Sequence, residues 1–262
     1  MARYKFLIEY EGTRYRGWQP QKNARTVAGE LQRCIHDVCG AAPFEFQGSG
    51  RTDAGVHALG QTAHLEISTM LAPEILRMKL NDLLPADIVI LDIAKADPRF
   101  HARHHAVSRS YLYQISRRRT ALGKRFVWWI KDPLNVKRMH EAAALFTGMH
   151  DFRSFTEDDP EEKSTKVQVE ELRIAEAGDL ILVRMRGSHF VWKMVRRVVG
   201  ILAEVGRGSM TAEAVGELLR HQSSEPARFT APPSGLFLER VYYPGDPILT
   251  HLQPVLHITH DR

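Results

Sequence analysis

The densest run of chemically usable residues is Gly48-Ser49-Gly50-Arg51-Thr52-Asp53-Ala54-Gly55-Val56-His57. Its three glycines free the backbone for turns that a side chain would forbid. The run lacks the G-K-[ST] ending of a phosphate-cradling loop, and its glycines do not fit the G-x-G-x-x-G dinucleotide spacing. What it offers is a lone carboxylate, Asp53, two residues after Arg51. In extended backbone such residues point the same way, so the guanidinium could hold the carboxylate ionised and aimed. An ionised, aimed aspartate is a nucleophile or a base. The same residues also suit a turn in which Asp53 hydrogen-bonds the next backbone, and spacing alone favours that plainer role. His57 is expected to be a turn or core histidine.

Three further constellations stand out. His101, His104 and His105 have no Cys or acid among them and are flanked by Arg99, Arg103 and Arg109, which would repel a cation. They are expected to form a basic connector and not a metal site. The strand R-S-Y-L-Y-Q-I puts Arg109, Tyr111 and Tyr113 on one face, suited to stacking a base and holding a phosphate, or to a half-exposed sheet. In F-V-W-K-M-V-R-R-V-V-G-I-L-A-E-V, the residues Val191, Val195, Val198, Val199 and Leu202 form an apolar stripe. Arg197 is expected on the outer face with Lys193 and Glu204. Arg196 is expected at the stripe's edge, where Gly200 and Ala203 leave room for another surface or a ligand, unless it is an ordinary boundary arginine packing its stem.

The elements that must position these residues follow from periodicity. Strands are expected over Tyr4–Tyr10, Phe44–Gln47, Leu59–Ile67 and Ile88–Ala94. Helices are expected over Thr26–Val38, with Val27, Leu31 and Ile35 inward, and over Pro73–Leu84. Gly12–Arg25 is expected as a long loop. The order β-α-β-loop-β-α-β is a split, ferredoxin-like pattern. A looser echo follows, with strands over Val107–Ile115, Leu180–Met185 and Leu236–Tyr242 and helices over Asn135–Phe146, Val191–Val205 and Ala212–His221. The fold class is α+β, in two related halves with a largely antiparallel sheet and flanking helices. The halves are residues 1–104, which carry the aspartate loop, and 105–246; a tail of unassigned role spans 247–262. Pro160–Ser164 is expected to be an acidic surface loop.

Of the 262 residues 44% are hydrophobic and 26% charged, enough to bury a real core and too apolar for a disordered tail. No run of about 18 apolar residues exists, so no membrane span is expected. Cys34 and Cys39 make neither a disulfide framework nor a zinc finger; buried thiols in a reducing, cytoplasmic setting are expected. The net charge of +5 is unevenly spread: Arg99 to Arg138 holds eleven Lys or Arg against Asp132 alone. Arg184 to Arg207 holds six against Glu204, while Glu157 to Glu176 holds eight acids against three bases. Such basic stretches suit a polyanion, although a solvated basic face explains them as well. The interleaved Tyr111, Tyr113, Phe126, Trp128 and Trp129 favour a nucleic acid over a membrane.

Four segments, in this order, resemble the tRNA pseudouridine synthase A family: G-R-T-D-A-G-V-H-A (Gly50–Ala58), R-S-Y-L-Y (Arg109–Tyr113), F-V-W-K-M-V-R-R-V-V-G (Phe190–Gly200) and A-P-P-S-G-L-F-L (Ala231–Leu238). The first is highly specific, and each of the others is weak alone. The resemblance reaches to about Pro244. It implies a pseudouridine synthase fold with Asp53 as catalytic nucleophile and Tyr111 against the target uridine. It further implies that Arg196 pairs with the catalytic carboxylate and that Arg51 helps hold a flipped nucleotide. It also implies a homodimer that binds one anticodon arm across both subunits, acts on uridines 38, 39 and 40 of tRNA, and uses no cofactor or metal. Ser49, Lys193 and the segment Thr165-Lys166-Val167 depart from the family pattern; only the last touches an expected tRNA contact. Two other classes compete: a non-catalytic RNA-binding module, and an aspartate-dependent glycosidase. The second normally wants two carboxylates about 5–9 Å apart.

Overall fold

In the computed structural model, which describes residues 1–159 and 164–258, the chain forms a mixed α+β structure with mostly antiparallel strands and, among the described residues, six α-helices. It divides into two compact units. The first comprises Met1–Val107 with Phe237–Pro247; the second comprises Ser108–Leu236 with the chain from Ile248 onward. Residues 237–247 thus return to the first unit, and the chain from Ile248 belongs to the second.

In the first unit, β1 (Ala2–Tyr10) alternates so that Tyr4, Phe6, Ile8 and Tyr10 are buried. α1 (Val27–Cys39) is capped by Thr26, whose Oγ1 accepts the Gly29 N–H at 3.3 Å. It buries Val27, Leu31 and Ile35, as its period predicts. β2 (Glu45–Gly48), β3 (His57–Ile67), α2 (Pro73–Leu83) and β4 (Ile88–Lys95) follow. β3 pairs antiparallel with β1, and β1 with β4. The other edge of β3 takes β2 along residues 63–66 and, in parallel, β10 (Leu236–Tyr242), with Phe237 opposite His57. The closing strand thus seals the end of β3 that emerges from the aspartate loop.

The second unit is built on β5 (Ser108–Ser116), β6 (Trp128–Trp129), α3 (Val136–Ala144), β7 (Gly148–Asp151), β8 (Lys166–Ala177), β9 (Leu180–Gly187), α4 (Met194–Arg207), α5 (Ala212–Arg220) and α6 (Glu225–Arg228). Its strands run in the order β5-β9-β8-β7, all antiparallel, with β6 parallel to β5. Buried Arg184 donates to the carbonyls of Leu249 (3.2 Å) and His251 (2.5 Å), and Val255 N–H donates to Gln114 Oε1 (2.7 Å), so the tail lies along this unit.

Two expectations are corrected here. α4 starts at Met194, not Val191, because Lys193 takes a left-handed backbone (φ 61°) that cannot continue a helix. Arg197 is not on an outer face: it is 2% exposed, and α4 is buried on nearly every side by α3 and its neighbours. Most of the expected loop at 160–164 lies outside the described residues; Ser164 alone is described, and it is exposed.

Candidate active site

Gly48–His57 is held by its backbone on both flanks. Ser49 N–H donates to Thr62 O (2.8 Å), and Gln61 Nε2 donates to Gly50 O (3.0 Å). Thr52 O accepts from Trp18 N–H (3.1 Å), while the Thr52 hydroxyl meets Tyr10 OH at 2.7 Å in the interior. Gly55 N–H donates to Tyr15 O, and Val56 N–H returns to Asp53 O at 3.1 Å to close the turn. The stretch Gly12–Trp18, part of the expected long loop, is the wall that grips this bend. It approaches so closely that a Cβ on Gly12 would stand 1.9 Å from Val56 O, and one on Gly48 would stand 2.6 Å from the Trp18 ring. Gly55 itself adopts φ 79°, which favours glycine.

Asp53 is therefore half-buried on a bend that main-chain groups close. Arg51 is exposed, and among the described residues it makes no ion pair with Asp53; the clamp inferred from i, i+2 spacing is not formed. His57 is buried, accepts Gly12 N–H at Nδ1 (3.0 Å) and stacks on Phe237 (4.8 Å between centroids). It is the core histidine its position suggests.

In the second unit three of the four sequence motifs converge. Tyr111 is half-buried, with its ring edge-on to Phe190 (5.1 Å, 86°). Tyr113, on the same face, is fully buried; its hydroxyl donates to Pro232 O (2.7 Å), and burial drives its pKa well up. It is a structural residue and not a stacking platform. Arg109 donates to Ser188 O (2.8 Å). Arg196 is half-buried, its Nε donating to Ala231 O (2.7 Å) while its own carbonyl accepts Ala231 N–H (3.0 Å). The room expected beside Gly200 is filled by that same segment: a Cβ there would lie 1.6 Å from Phe229 O. Ala231–Gly235 thus covers Tyr113 and holds Arg196 at the same time.

The uneven charge is settled only in part within the second unit. Arg117 pairs with Glu176, Arg118 with Asp179 (2.7 Å), Arg186 with Glu170, and Lys193 and Arg197 with Glu157. Lys124, Lys131, Lys137 and Arg138 are exposed and make no ion pair among the described residues. Arg119 lies over the ring of Trp129 (5.7 Å), which is 41% exposed.

The histidine run is less isolated than its sequence suggests. Glu45, His64 and His101 bring one potential ligand atom each within 4.8 Å of one another, so an acid does stand beside His101. The hydrogen-bond polarity opposes a metal nonetheless. His64 Nδ1 accepts Ala102 N–H (3.2 Å), and His101 Nδ1 accepts the N–H groups of Arg103 and His104 (3.2 Å each). Each neutral ring then carries its proton on Nε2 and has no lone pair left to give. His64 is buried, which pushes its pKa down despite the hydrogen bond to Glu45, and burial with neighbouring His64 and His104 lowers that of His101. Folded values below the usual 6.5 or so mean that the stability of the neutral rings is fully present above that pH and is lost as pH falls below it. Thermal unfolding of His64→Gln should accordingly change less between pH 7 and 5 than that of the wild type; parallel curves would refute the assignment.

A family model described as tRNA pseudouridine synthase matches residues 7–105 and 142–244, and the chain belongs to that family. The relative named tRNA pseudouridine synthase A from Rhodospirillum rubrum is 40% identical over 249 residues, covering 94% of this chain and 89% of its own. The one from Methylococcus capsulatus is 38% identical over 241 residues (91% and 89%). That from Agrobacterium fabrum is 36% identical over 266 residues (100% and 99%). The tail therefore does have a counterpart in at least one relative. Tyr111 lies between the two matched segments, while Arg51, Asp53 and Arg196 lie inside them.

Proposed function

We propose that this protein converts uridine to pseudouridine in the anticodon stem-loop of tRNA, at positions 38, 39 and 40, with Asp53 as the nucleophile. The bond from C1′ to N1 breaks, the base turns, and a bond from C1′ to C5 forms; N1 gains a proton as C5 loses one. The product is an isomer, so no oxidant and no added group is required, and no cofactor is assigned. The observation that carries the reading is the bend, closed by main-chain hydrogen bonds, that presents Asp53 half-buried.

A stacked uridine must be extruded before a carboxylate reaches its sugar, at a cost of a few kcal/mol. Exposed Arg51 is assigned to hold the flipped nucleotide, Tyr111 to lie against the base, and Arg196 to pair with the carboxylate. Lys124, Lys131, Lys137 and Arg138 supply phosphate contacts. The active form is a cytoplasmic homodimer with one anticodon arm bound across both subunits. Both units follow one ferredoxin-like plan: the strand order β4-β1-β3-β2 of the first unit supports this, and with β8 paired to β9 as β2 is to β3, β7 is then an added edge strand in the second.

The test is release of tritium from tRNA labelled at uridine C5. Release without free uracil supports the isomerase. Binding without release would make the protein an RNA-binding module, and free uracil would make it a glycosidase. With about four phosphate contacts, tRNA affinity should fall by about a hundredfold between 50 and 200 mM salt; affinity indifferent to salt would exclude the phosphate contacts.

A further inference from the structure

Lys193, just before α4, is the only non-glycine residue with positive φ among the described residues (φ 61°, ψ 2°). An L-residue stays in this conformation only where its surroundings hold it, and such residues cluster at functional sites. The holding groups come from the acidic segment after the Arg153–Phe155 turn. Both Glu157 carboxylate oxygens lie 3.2 Å from Lys193 Nζ, and Oε1 also accepts from Arg197 Nη2. Asp158 Oδ2 accepts Trp192 N–H at 2.8 Å. The first helical turn then closes through Arg197 N–H to Lys193 O (3.0 Å). On its other side, Arg196 is tied to Ala231 by the two bonds already described.

Arg197 is buried, and burial pushes its pKa down against the pull of Glu157. Glu157 itself is exposed, so the pair is weak evidence for stability. What the pair adds here is direction: it fixes the turn in which Arg196 begins its helix.

We propose that Glu157, with Asp158 and buried Arg197, is a positioning element that locks the left-handed turn at Lys193 and so aims the neighbouring Arg196. The inference rests on the site reading of Arg196 given above.

The experiment compares single-turnover tritium release at saturating tRNA with tRNA affinity and melting temperature, on the full chain. Glu157→Gln keeps the size and removes the charge. Its rate should fall tenfold or more with affinity changed less than threefold, and Glu157→Asp should recover most of the loss. Lys193→Gly, which suits a left-handed backbone, should lose threefold or less, and Lys193→Val, which does not, tenfold or more. Arg196→Gln should lose a hundredfold or more. If Arg196→Gln is inactive while folded Glu157→Gln keeps its rate within twofold, the positioning inference alone is overturned. A rate loss matched by an equal loss of affinity overturns it too, since the pair would then be a binding element. Wild-type rates in Arg196→Gln overturn the Arg196 assignment and the inference with it. Should Glu157→Gln fail to fold, the Lys193 pair decides, and equal rates for Gly and Val refute the proposal.

Discussion

Asp53→Asn should fold, bind tRNA and release no tritium, its rate falling by a factor on the order of 10⁴ or more, as removal of a nucleophile does in other enzymes. The reasoning is local. The bend is fixed by Ser49 N–H to Thr62 O, Trp18 N–H to Thr52 O, Gly55 N–H to Tyr15 O and Val56 N–H to Asp53 O, and Asn leaves every one of these main-chain bonds in place. The buried contact between Tyr10 and Thr52 also stays. A half-buried position with an isosteric replacement should shift stability by less than about 1 kcal/mol. Rate and stability therefore separate, and a melting curve beside the tritium assay reads both. A variant that keeps a tenth of the rate would remove Asp53 from the chemistry.

What the sequence made legible follows from how local each signal is. Within the glycine-rich bend Gly55 answers a local demand, a left-handed φ, whereas Gly48 and, on the facing wall, Gly12 answer contacts with Trp18 and Val56 far along the chain. α1 declares itself because cap, period and burial agree from Thr26 onward. β8 does not declare itself in the sequence, for a specific reason. Its register shifts between Val169 and Glu171, so Val167 and Val169 face inward on odd positions and Ile174 on an even one. A one-residue bulge breaks the alternation that identifies a strand. Arg197 departs from its expected outer face although the helix period holds the evidence. Its neighbours at i−3 and i+4, Met194 and Ile201, are both buried, and that spacing held the correct answer. The partner that makes the burial possible, Glu157, lies forty residues away, beyond the reach of any periodicity. The missing ion pair between Arg51 and Asp53 has a similar origin: i, i+2 side chains align only in extended backbone, and the wall from Gly12 to Trp18 bends this one.

Gly200→Ala should be among the most damaging single-methyl changes in the second unit. A Cβ at Gly200 would stand 1.6 Å from Phe229 O, 2.7 Å from its carbonyl carbon and 3.4 Å from Ala231 N. All three are main-chain atoms, so no rotamer relieves the clash; either α4 or the segment from Phe229 to Ala231 must move. Overpacking usually costs 1–3 kcal/mol, occasionally more, and a rigid backbone neighbour puts this case at about 3 kcal/mol or above. For a chain of this size that is a drop of roughly 6–12 °C in Tm. The displaced segment carries both bonds to Arg196, from its Nε to Ala231 O and from Ala231 N–H to its carbonyl, so tritium release should fall tenfold or more even well below the melting temperature. Gly216→Ala in α5 is the control. There the nearest atoms, at 3.3 and 3.5 Å, are the guanidinium tip of Arg220, the far end of an exposed, flexible side chain whose ion pair with Glu217 is also exposed. An alanine in a helix interior is favoured over glycine by about 0.5–1 kcal/mol, so the same methyl should raise Tm slightly and leave the rate alone. Equal melting temperatures for the two variants would mean that α4 can slide away from the Phe229 carbonyl, and Arg196 would then lack the rigid support that its role requires.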